Sequence, residues 1–492
     1  MSYLRGKLHM HRRSTWALTV FLLLCFYMLL PTRNDFFETA RYSYYVCVIP
    51  VLMASVLYFR RLRDGIECRF LFALWIWFWF SRALNGSPFL DQDFQHFYEV
   101  ALILPFFTLG PGLMKAERRR FLDWLSIVLG SFYFLIGIIA LTAFLHRTMY
   151  AFPILGGKIG ITRDAGYARI YFFENHPNVT AYWYLISLFL MIYQFFHCKR
   201  KLWRVPIVFT AAVDYLIIAI TYSRSVRVCM GMTFALLTAV LLLRTVQSKP
   251  RLLRIALVFP VSVLVLVAAY EGSALCADMM ATLSYRITDI RAPSEATWQS
   301  TEPEETVQEI NHSVIRPVQL SLGKKETPAA VGLAGGLVQS DPRQKTGDLN
   351  TLSSNRIDIW LGAFQTIIKM PSILWKGHLC NNIMPIAHQF MTPDGEGRMP
   401  VNFHNTFIEI LMLTGLPGLM LALFFLVSVL YQATRFLFRS EVPLDLRTLV
   451  FPVLSTIPYF LLETCPPRDI RLLFYLLISG FVVGYAKECL RE

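Results

Sequence analysis

The chain has 492 residues, of which 55% are hydrophobic and only 16% are charged, and its mean hydropathy is +0.47. This composition excludes a soluble globular protein, which needs more charged surface, and indicates a polytopic membrane protein. The formal net charge is +14, but no basic block lies in a soluble domain. We therefore attribute the charge to membrane topology and contact with anionic lipid, not to nucleic-acid binding.

Apolar stretches recur along the whole chain. A transmembrane helix needs about 20 mostly apolar residues, and the sequence predicts an all-α polytopic membrane protein with about 12 transmembrane helices. In chain order the predicted spans lie near residues 15–30, 42–59, 70–84, 94–114, 121–145, 179–197, 205–222, 226–243, 252–270, 405–431, 448–464 and 470–486.

The basic residues of the connecting segments predict an orientation. Lys and Arg cluster in alternate segments, as expected for cytoplasmic loops, whereas NGSPFLDQDFQ on the opposite side has none; the clusters lie near residues 5–13, 60–69, 115–120, 199–204, 244–254 and 435–447. Arg33, Arg41 and Arg468 are isolated exceptions on the opposite side. This bias predicts a multi-pass protein of the cytoplasmic membrane with both termini in the cytoplasm.

The predicted topology divides the chain into four parts. Residues 1–145 contain the first five helices, and residues 146–270 contain helices six to nine with an HPN sequence and an SR turn on the outer side. Residues 271–403 form a large extracytoplasmic loop, and residues 404–492 contain the last three helices.

Two segments of the large loop differ in character. Residues 293–350 are rich in Pro, Glu, Ser, Thr and Gly without periodicity, which predicts a mobile insertion. Residues 353–370 predict an amphipathic helix, because apolar residues recur at helical spacing between a capping Ser353 or Ser354 and Pro371.

Polar residues that gain nothing from lipid contact lie at the outer ends of the predicted spans. They come from four separate segments: His176 and Asn178, Arg224 and Arg227, Arg356, and His404 and Asn405. Their shared side of the membrane predicts one external site.

The sequence TYSRSVRV places Arg224 and Arg227 three residues apart, on one face of a helix. Guanidinium groups bind phosphate through a planar fork and stay charged, so such a pair can hold a diphosphate without a metal ion. Snorkelling of both side chains to the membrane interface is the alternative interpretation.

The other residues have structural alternatives too. Arg356 is also consistent with a surface charge, and His404 with an interface residue, although an imidazole suits proton transfer. His176 and Asn178 fit the start of a helix equally well.

Three short motifs, in this order and topology, resemble the O-antigen ligase and polymerase superfamily. They are an SR turn, an R-x-x-x-W helix and an HN-x-x-x-E-x-L helix followed by a G-x-x-G break: Ser223–Arg224, Arg356–Trp360, His404–Leu411 and Gly415–Gly418. The resemblance covers residues 176–430, and the first five spans match only in hydropathy. Arg227 has no clear counterpart in the family pattern, and the insertion at 293–350 is longer than usual.

The resemblance implies a membrane glycosyltransferase with a GT-C-like fold. Its donor would be a glycan on a polyisoprenyl diphosphate, its acceptor a hydroxyl of a glycan or glycolipid, and its mechanism inverting and independent of metal and cofactor. It implies catalytic roles for His404, Arg224 and Arg356. From their shared position at the predicted outer site we also expect substrate contacts by Arg227, Asn405, His176, Asn178 and Trp360.

Several functions remain open from the sequence. A polymerase and a ligase of surface polysaccharide share these motifs. A flippase or transporter of lipid-linked oligosaccharide is the alternative from another class. Proton coupling would favour a ladder of intramembrane acids, but Glu99, Asp123 and Asp214 form none across the predicted spans.

Overall fold

The computed structural model describes most of the chain from residue 65 onward. The described ranges are 65–85, 103–104, 106–152, 157–164, 167–172, 177–246, 249–291, 316–318, 356–378, 380–391, 400, 402–439, 441–465 and 470–491. The predicted spans near 15–30 and 42–59, and residues 94–102 and 105 of the one near 94–114, lie outside them.

Within these ranges the protein is predominantly helical. Short 3₁₀ helices occupy Lys201–Trp203 and His388–Phe390. The α-helices, in chain order, are α1 Ile66–Leu84, α2 Lys115–His146, α3 Pro177–His197, α4 Arg204–Ile220, α5 Arg224–Thr245, α6 Arg251–Arg291, α7 Arg356–Lys369, α8 Ile373–Lys376, α9 Cys380–Ala387, α10 Thr406–Leu437, α11 Leu444–Thr448, α12 Val450–Ser455, α13 Ile457–Leu462 and α14 Ile470–Arg491.

Eight helical segments of the described chain are long and apolar enough to cross a membrane, which confirms a polytopic membrane protein. They correspond to the last eight predicted spans. The ninth of the twelve predictions behaves differently, because α6 has 41 residues and continues to Arg291. At 1.5 Å per residue such a helix is about 60 Å long, roughly twice the thickness of the hydrocarbon core. Residues 271–291 of the predicted large loop are therefore a continuation of the helix.

The described connection between α2 and α3 contains strands, although the sequence predicted a loop there. Strands β1 Met149–Phe152, β2 Gly157–Asp164 and β3 Tyr167–Phe172 form an antiparallel meander. Strand β4 Arg316–Val318 pairs antiparallel with β1 and gives the order β3-β2-β1-β4. β4 is the described part of the predicted insertion at 293–350. The fold is thus a helical bundle with a small sheet.

Helices α3 and α14 form the centre of the bundle. Most residues of both helices are buried, and their side chains share one apolar core with α2, α4, α10 and the short helices α11–α13. A helix that is apolar on all sides belongs inside a bundle. A second, smaller core lies under α7 and α9 against the first two turns of α10.

Helix α10 is interrupted near its first third. Gly415 has a φ of 70° and a ψ of −175°, and Pro417 follows within the helix. The break removes intrahelical donors from three carbonyl groups, which other segments satisfy: the backbone N–H of His378 donates to Met412, Ser81 donates to Leu413, and Trp77 donates to Thr414. Membrane proteins tolerate a broken helix when neighbouring segments replace the lost bonds in this way.

Candidate active site

Five chain segments meet around the carboxylate of Glu463, the residue that follows α13. They are the starts of α3, α5 and α7, the residues just before α10, and the end of α13 itself. All contribute side chains at the same end of the helical bundle. Glu463 is 6% exposed, so its charge is largely withdrawn from water.

One oxygen of this carboxylate accepts three hydrogen bonds. Arg356 Nη2 lies 2.6 Å from Glu463 Oε1, Asn178 Nδ2 lies 2.7 Å from it, and Ser225 Oγ lies 3.4 Å from it. The Arg356 contact is a short, charge-assisted ion pair of the kind that buried carboxylates require.

The second oxygen faces the histidine. His404 Nδ1 lies 3.6 Å from Glu463 Oε2, which is close enough for electrostatic attraction but longer than a hydrogen bond. Nδ1 itself is buried, whereas the His404 side chain is 34% exposed. A carboxylate placed behind an imidazole stabilises the imidazolium and orients the ring, as in catalytic triads.

Glu463 stays ionised despite its burial. Loss of solvation acts to raise its pKa, but the neighbouring His404 and the charges of Arg356 and Arg471 outweigh that effect and lower the pKa to about 2. The guanidinium of Arg471 also donates to the backbone oxygen of Thr464 at 3.3 Å. Near neutral pH the carboxylate therefore carries a negative charge close to the guanidinium groups of Arg356 and Arg471.

The segment before α10 has an unusual backbone. His404 has a φ of 48°, in the left-handed region that non-glycine residues rarely occupy. Asn402 Oδ1 accepts the His404 N–H at 3.0 Å, and Trp360 Nε1 donates to the carbonyl of Phe403 at 3.0 Å. Strained conformations of this kind persist where several contacts hold them, and they are frequent at functional sites. Trp360, predicted to contact substrate, here positions the backbone next to His404.

Asn405 caps helix α10. Its side-chain oxygen accepts the N–H groups of Phe407 at 2.9 Å and Ile408 at 3.1 Å, and its Nδ2 donates to the carbonyl of Leu461 at 3.0 Å. Thr406 adds a hydrogen bond of 2.7 Å from Oγ1 to the backbone oxygen of Glu463. These bonds join the start of α10 to the end of α13 and explain why a membrane helix begins with polar residues.

The SR turn lies beside the carboxylate. Ser223 is the residue before α5, Arg224 is its first residue, and the next residue, Ser225, contacts Glu463. Arg224 is partly exposed. Arg227 is 5% exposed; its Nη2 donates to the carbonyl of Ala219 at 2.9 Å, and its guanidinium lies over the ring of Tyr222. Arg227 therefore stabilises the turn between α4 and α5.

The structure thus brings several predicted residues together. Asn178, Arg356 and His404 surround Glu463, and Arg224 is adjacent through Ser225. His176 lies outside the described residues. Sequence reasoning missed Glu463 and Arg471; the available signal was an acid at the end of an apolar span, on the side where the other polar residues had been placed.

An apolar cavity of about 190 Å³ lies next to this cluster, between α1, α10 and α14. Thr406, Glu409 and Cys465 contribute to its wall, together with apolar side chains such as Trp75 and Tyr475. Across the described part of the chain, no group of three or more His, Cys, Asp or Glu residues is arranged to hold a metal ion.

Part of the chain resembles a known protein family. Residues 206–423 match the protein-family model described as O-antigen ligase. The matched interval contains Arg224, Arg356 and His404 and ends before Glu463. A search of curated proteins gives no match.

Proposed function

Because the O-antigen ligase match over residues 206–423 supports a place in the O-antigen ligase and polymerase family, we propose that this membrane enzyme transfers a glycan from a polyisoprenyl diphosphate to an acceptor hydroxyl. The observation that carries this proposal is the convergence of Arg356, His404 and Glu463 at one end of the bundle. The family implies lipid-linked glycan donors and glycan or lipid acceptors in general. The specific donor and the mechanism are our inference.

The arginines bind the leaving group in this proposal. Arg356 and Arg224 neutralise the lipid diphosphate, whose negative charge grows as the sugar bond breaks. Arginine forks match phosphate oxygens and need no metal ion as an additional cation. Arg356 is paired with Glu463 at 2.6 Å, so it is already oriented when the donor arrives and exchanges part of that contact for a phosphate oxygen.

His404 is the acceptor base. The acceptor oxygen attacks the anomeric carbon, its proton moves to the imidazole, a new carbon–oxygen bond forms, and the anomeric carbon–oxygen bond to the diphosphate breaks. Attack from the face opposite the leaving group inverts the configuration. Glu463 then stabilises the imidazolium, since its carboxylate remains ionised.

The neighbouring cavity suits the lipid part of the donor. It is apolar, lies between membrane helices and begins at Thr406, the residue that ties α10 to Glu463. The first isoprene units would occupy it while the diphosphate stays with the arginines. Both termini in the cytoplasm, as the basic loops predict, would place the site on the outer face of the cytoplasmic membrane, where lipid-linked glycans are presented.

The test uses purified full-length protein in proteoliposomes, with a synthetic polyprenyl diphosphate glycan and an acceptor glycan. We expect equal amounts of extended acceptor and released polyprenyl diphosphate. His404→Ala should lower the rate by ~10²- to 10⁴-fold, the usual contribution of acid–base assistance, while donor binding persists through the arginines. Gln365→Ala, at an exposed position of α7, is the matched control and should retain the wild-type rate.

Three outcomes would contradict the proposal. If the His404→Ala variant transfers glycan at nearly the wild-type rate, His404 is not the acceptor base. If the variant no longer binds the donor, His404 belongs to the diphosphate site. Movement of the donor across the bilayer without transfer of glycan indicates a flippase.

In a deletion strain, single accumulated repeats indicate a polymerase, and long accumulated chains indicate a ligase.

A further inference from the structure

The face of helix α7 that points away from the protein carries an apolar stripe, which the exposed Gln365 and Lys369 border on one side. Leu361, Phe364 and Ile368 follow one another at spacings of three and four residues, so they form one stripe, and they are 54%, 49% and 73% exposed. The opposite side of α7 packs into the smaller core through Ile359, Ala363 and Ile367. A helix that covered the protein as a water-exposed lid would carry polar residues across its outward face, whereas α7 has them only at one edge.

The segment that follows α7 descends along the membrane helices. The backbone N–H of His378 donates to the carbonyl of Met412 at 2.8 Å. Met412 is six residues beyond the start of α10 at Thr406, which is about 9 Å deeper along the helix axis. Gly377 and His378 therefore lie below the level at which α10 begins, and so does α8, because the backbone of Leu374 and Trp375 lies against Gly415.

Two helices with exposed apolar stripes enclose this segment. On one side is α10, where Leu416, Met420, Phe424 and Val427 form its exposed stripe. On the other side is α1, where Asn85 Nδ2 donates to the carbonyl of Lys376 at 3.1 Å; Ile76, Phe80 and Leu84 are exposed there. Trp375 of α8 is 71% exposed, and its backbone lies against Gly415, directly before Leu416. The apolar surface of α7 and α8 thus continues the surface that a membrane-spanning α10 presents to lipid.

We propose that α7 and α8 are embedded in the leaflet at the site-bearing end of the bundle, with Leu361, Phe364, Ile368 and Trp375 in contact with lipid. Tryptophan is enriched at this depth of bilayers, and the exposed Lys369 next to the stripe can meet lipid phosphates at the surface.

The embedding gives α7 a second role, which rests on the proposed function. Arg356 is the first residue of α7, and its side chain contacts Glu463 from the side of the helix that faces the protein, away from the stripe. A helix anchored in the leaflet keeps this guanidinium at the height of lipid phosphates. It would therefore meet a polyisoprenyl diphosphate at the depth where that lipid naturally resides.

The test measures the environment of single residues in the full chain. Nitroxide labels are attached at Ile368→Cys, Trp375→Cys or Lys369→Cys, in a protein whose native cysteines are replaced, reconstituted into phosphatidylethanolamine and phosphatidylglycerol vesicles. Collision with apolar O₂ is compared with collision with a water-soluble nickel chelate. We expect O₂ to dominate several-fold at 368 and 375 relative to 369, which lies about 100° away on the same helix.

Two results would overturn the embedding. Dominant collision with the nickel chelate at 368 and 375 places the stripe in water, and protection from both reagents shows that protein covers it. Ile368 and Trp375 lie in different helices, so failure of one variant to fold leaves the other informative. The measurement needs no turnover. A protein with lipid-exposed labels and no glycan transfer therefore refutes the proposed function alone, and the reverse result refutes the embedding alone.

Discussion

Replacing Glu463 by Gln removes the negative charge from the candidate site with little change in shape. The neutral amide resembles the protonated carboxyl, so the pKa gives the size of the effect. That pKa falls from 4.5 to about 2 in the folded protein. At 1.36 kcal/mol per pKa unit, the shift corresponds to about 3 kcal/mol of stabilisation in favour of the ionised form.

We expect the Glu463→Gln substitution to change two measured quantities. Its unfolding temperature in detergent should drop by several degrees, because Arg356 and Arg471 lose their counter-charge in a buried site. Its glycan transfer rate should drop by ~10²- to 10⁴-fold, because the His404 imidazolium is no longer stabilised. Glu271→Gln, at an exposed position in α6, is the matched control and should change neither quantity.

A double-mutant cycle isolates the ion pair. If Glu463 and Arg356 interact as the 2.6 Å contact indicates, Arg356→Gln combined with Glu463→Gln should cost less than the sum of the single variants. The coupling should be about 0.5–3 kcal/mol, the range for residues that contact each other directly. Wild-type stability and transfer in Glu463→Gln, or additive effects in the cycle, would refute the assigned role of the carboxylate.

Three further predictions follow from the same geometry. Arg356→Gln should weaken binding of a fluorescent polyprenyl diphosphate by ~10- to 100-fold, since a charge-assisted hydrogen bond contributes about 1.5–3 kcal/mol; an unchanged Kd would contradict phosphate binding by Arg356. The pKa of Glu463 is lowered in the folded state, so its stabilisation is complete above about pH 4.5 and is lost as the pH falls toward 2. The difference in unfolding temperature between wild type and Glu463→Gln should thus be constant from about pH 8 to 5 and shrink below that range. An equal difference at every pH would contradict the lowered pKa of Glu463. Gly415→Ala should destabilise the protein, because the site has a φ of 70° and an added Cβ would lie 2.9 Å from the carbonyl oxygen of Leu374; Gly272→Ala, in a helix with only ordinary contacts, should be neutral or slightly stabilising in the same thermal scan.

Local features of the chain were predictable from the sequence. The membrane helices are predictable from runs of apolar residues, because the transfer of apolar side chains into lipid is favourable at any position in the chain. The motif residues Arg224, Arg356 and His404 are recognisable because their neighbours in sequence, including the cap residue Asn405, repeat a family pattern. The strands were missed although YARIYF in β3 places the apolar residues Ala, Ile and Phe at every second position. Strands β1 and β4 are too short to show a period of two.

The tertiary structure alone decided what surrounds those residues. Glu463 ends an ordinary apolar span, and nothing next to it identifies a site, since its partners Arg356 and Asn178 are 107 and 285 positions away. The break in α10 is visible locally as Gly415 and Pro417, but the Trp77 that satisfies one freed carbonyl is 337 positions away. The pattern of apolar residues indicates whether a segment is surrounded by lipid or by water. An ion pair depends on which distant segments the packed bundle brings within about 3 Å, and that distance is set by the whole fold.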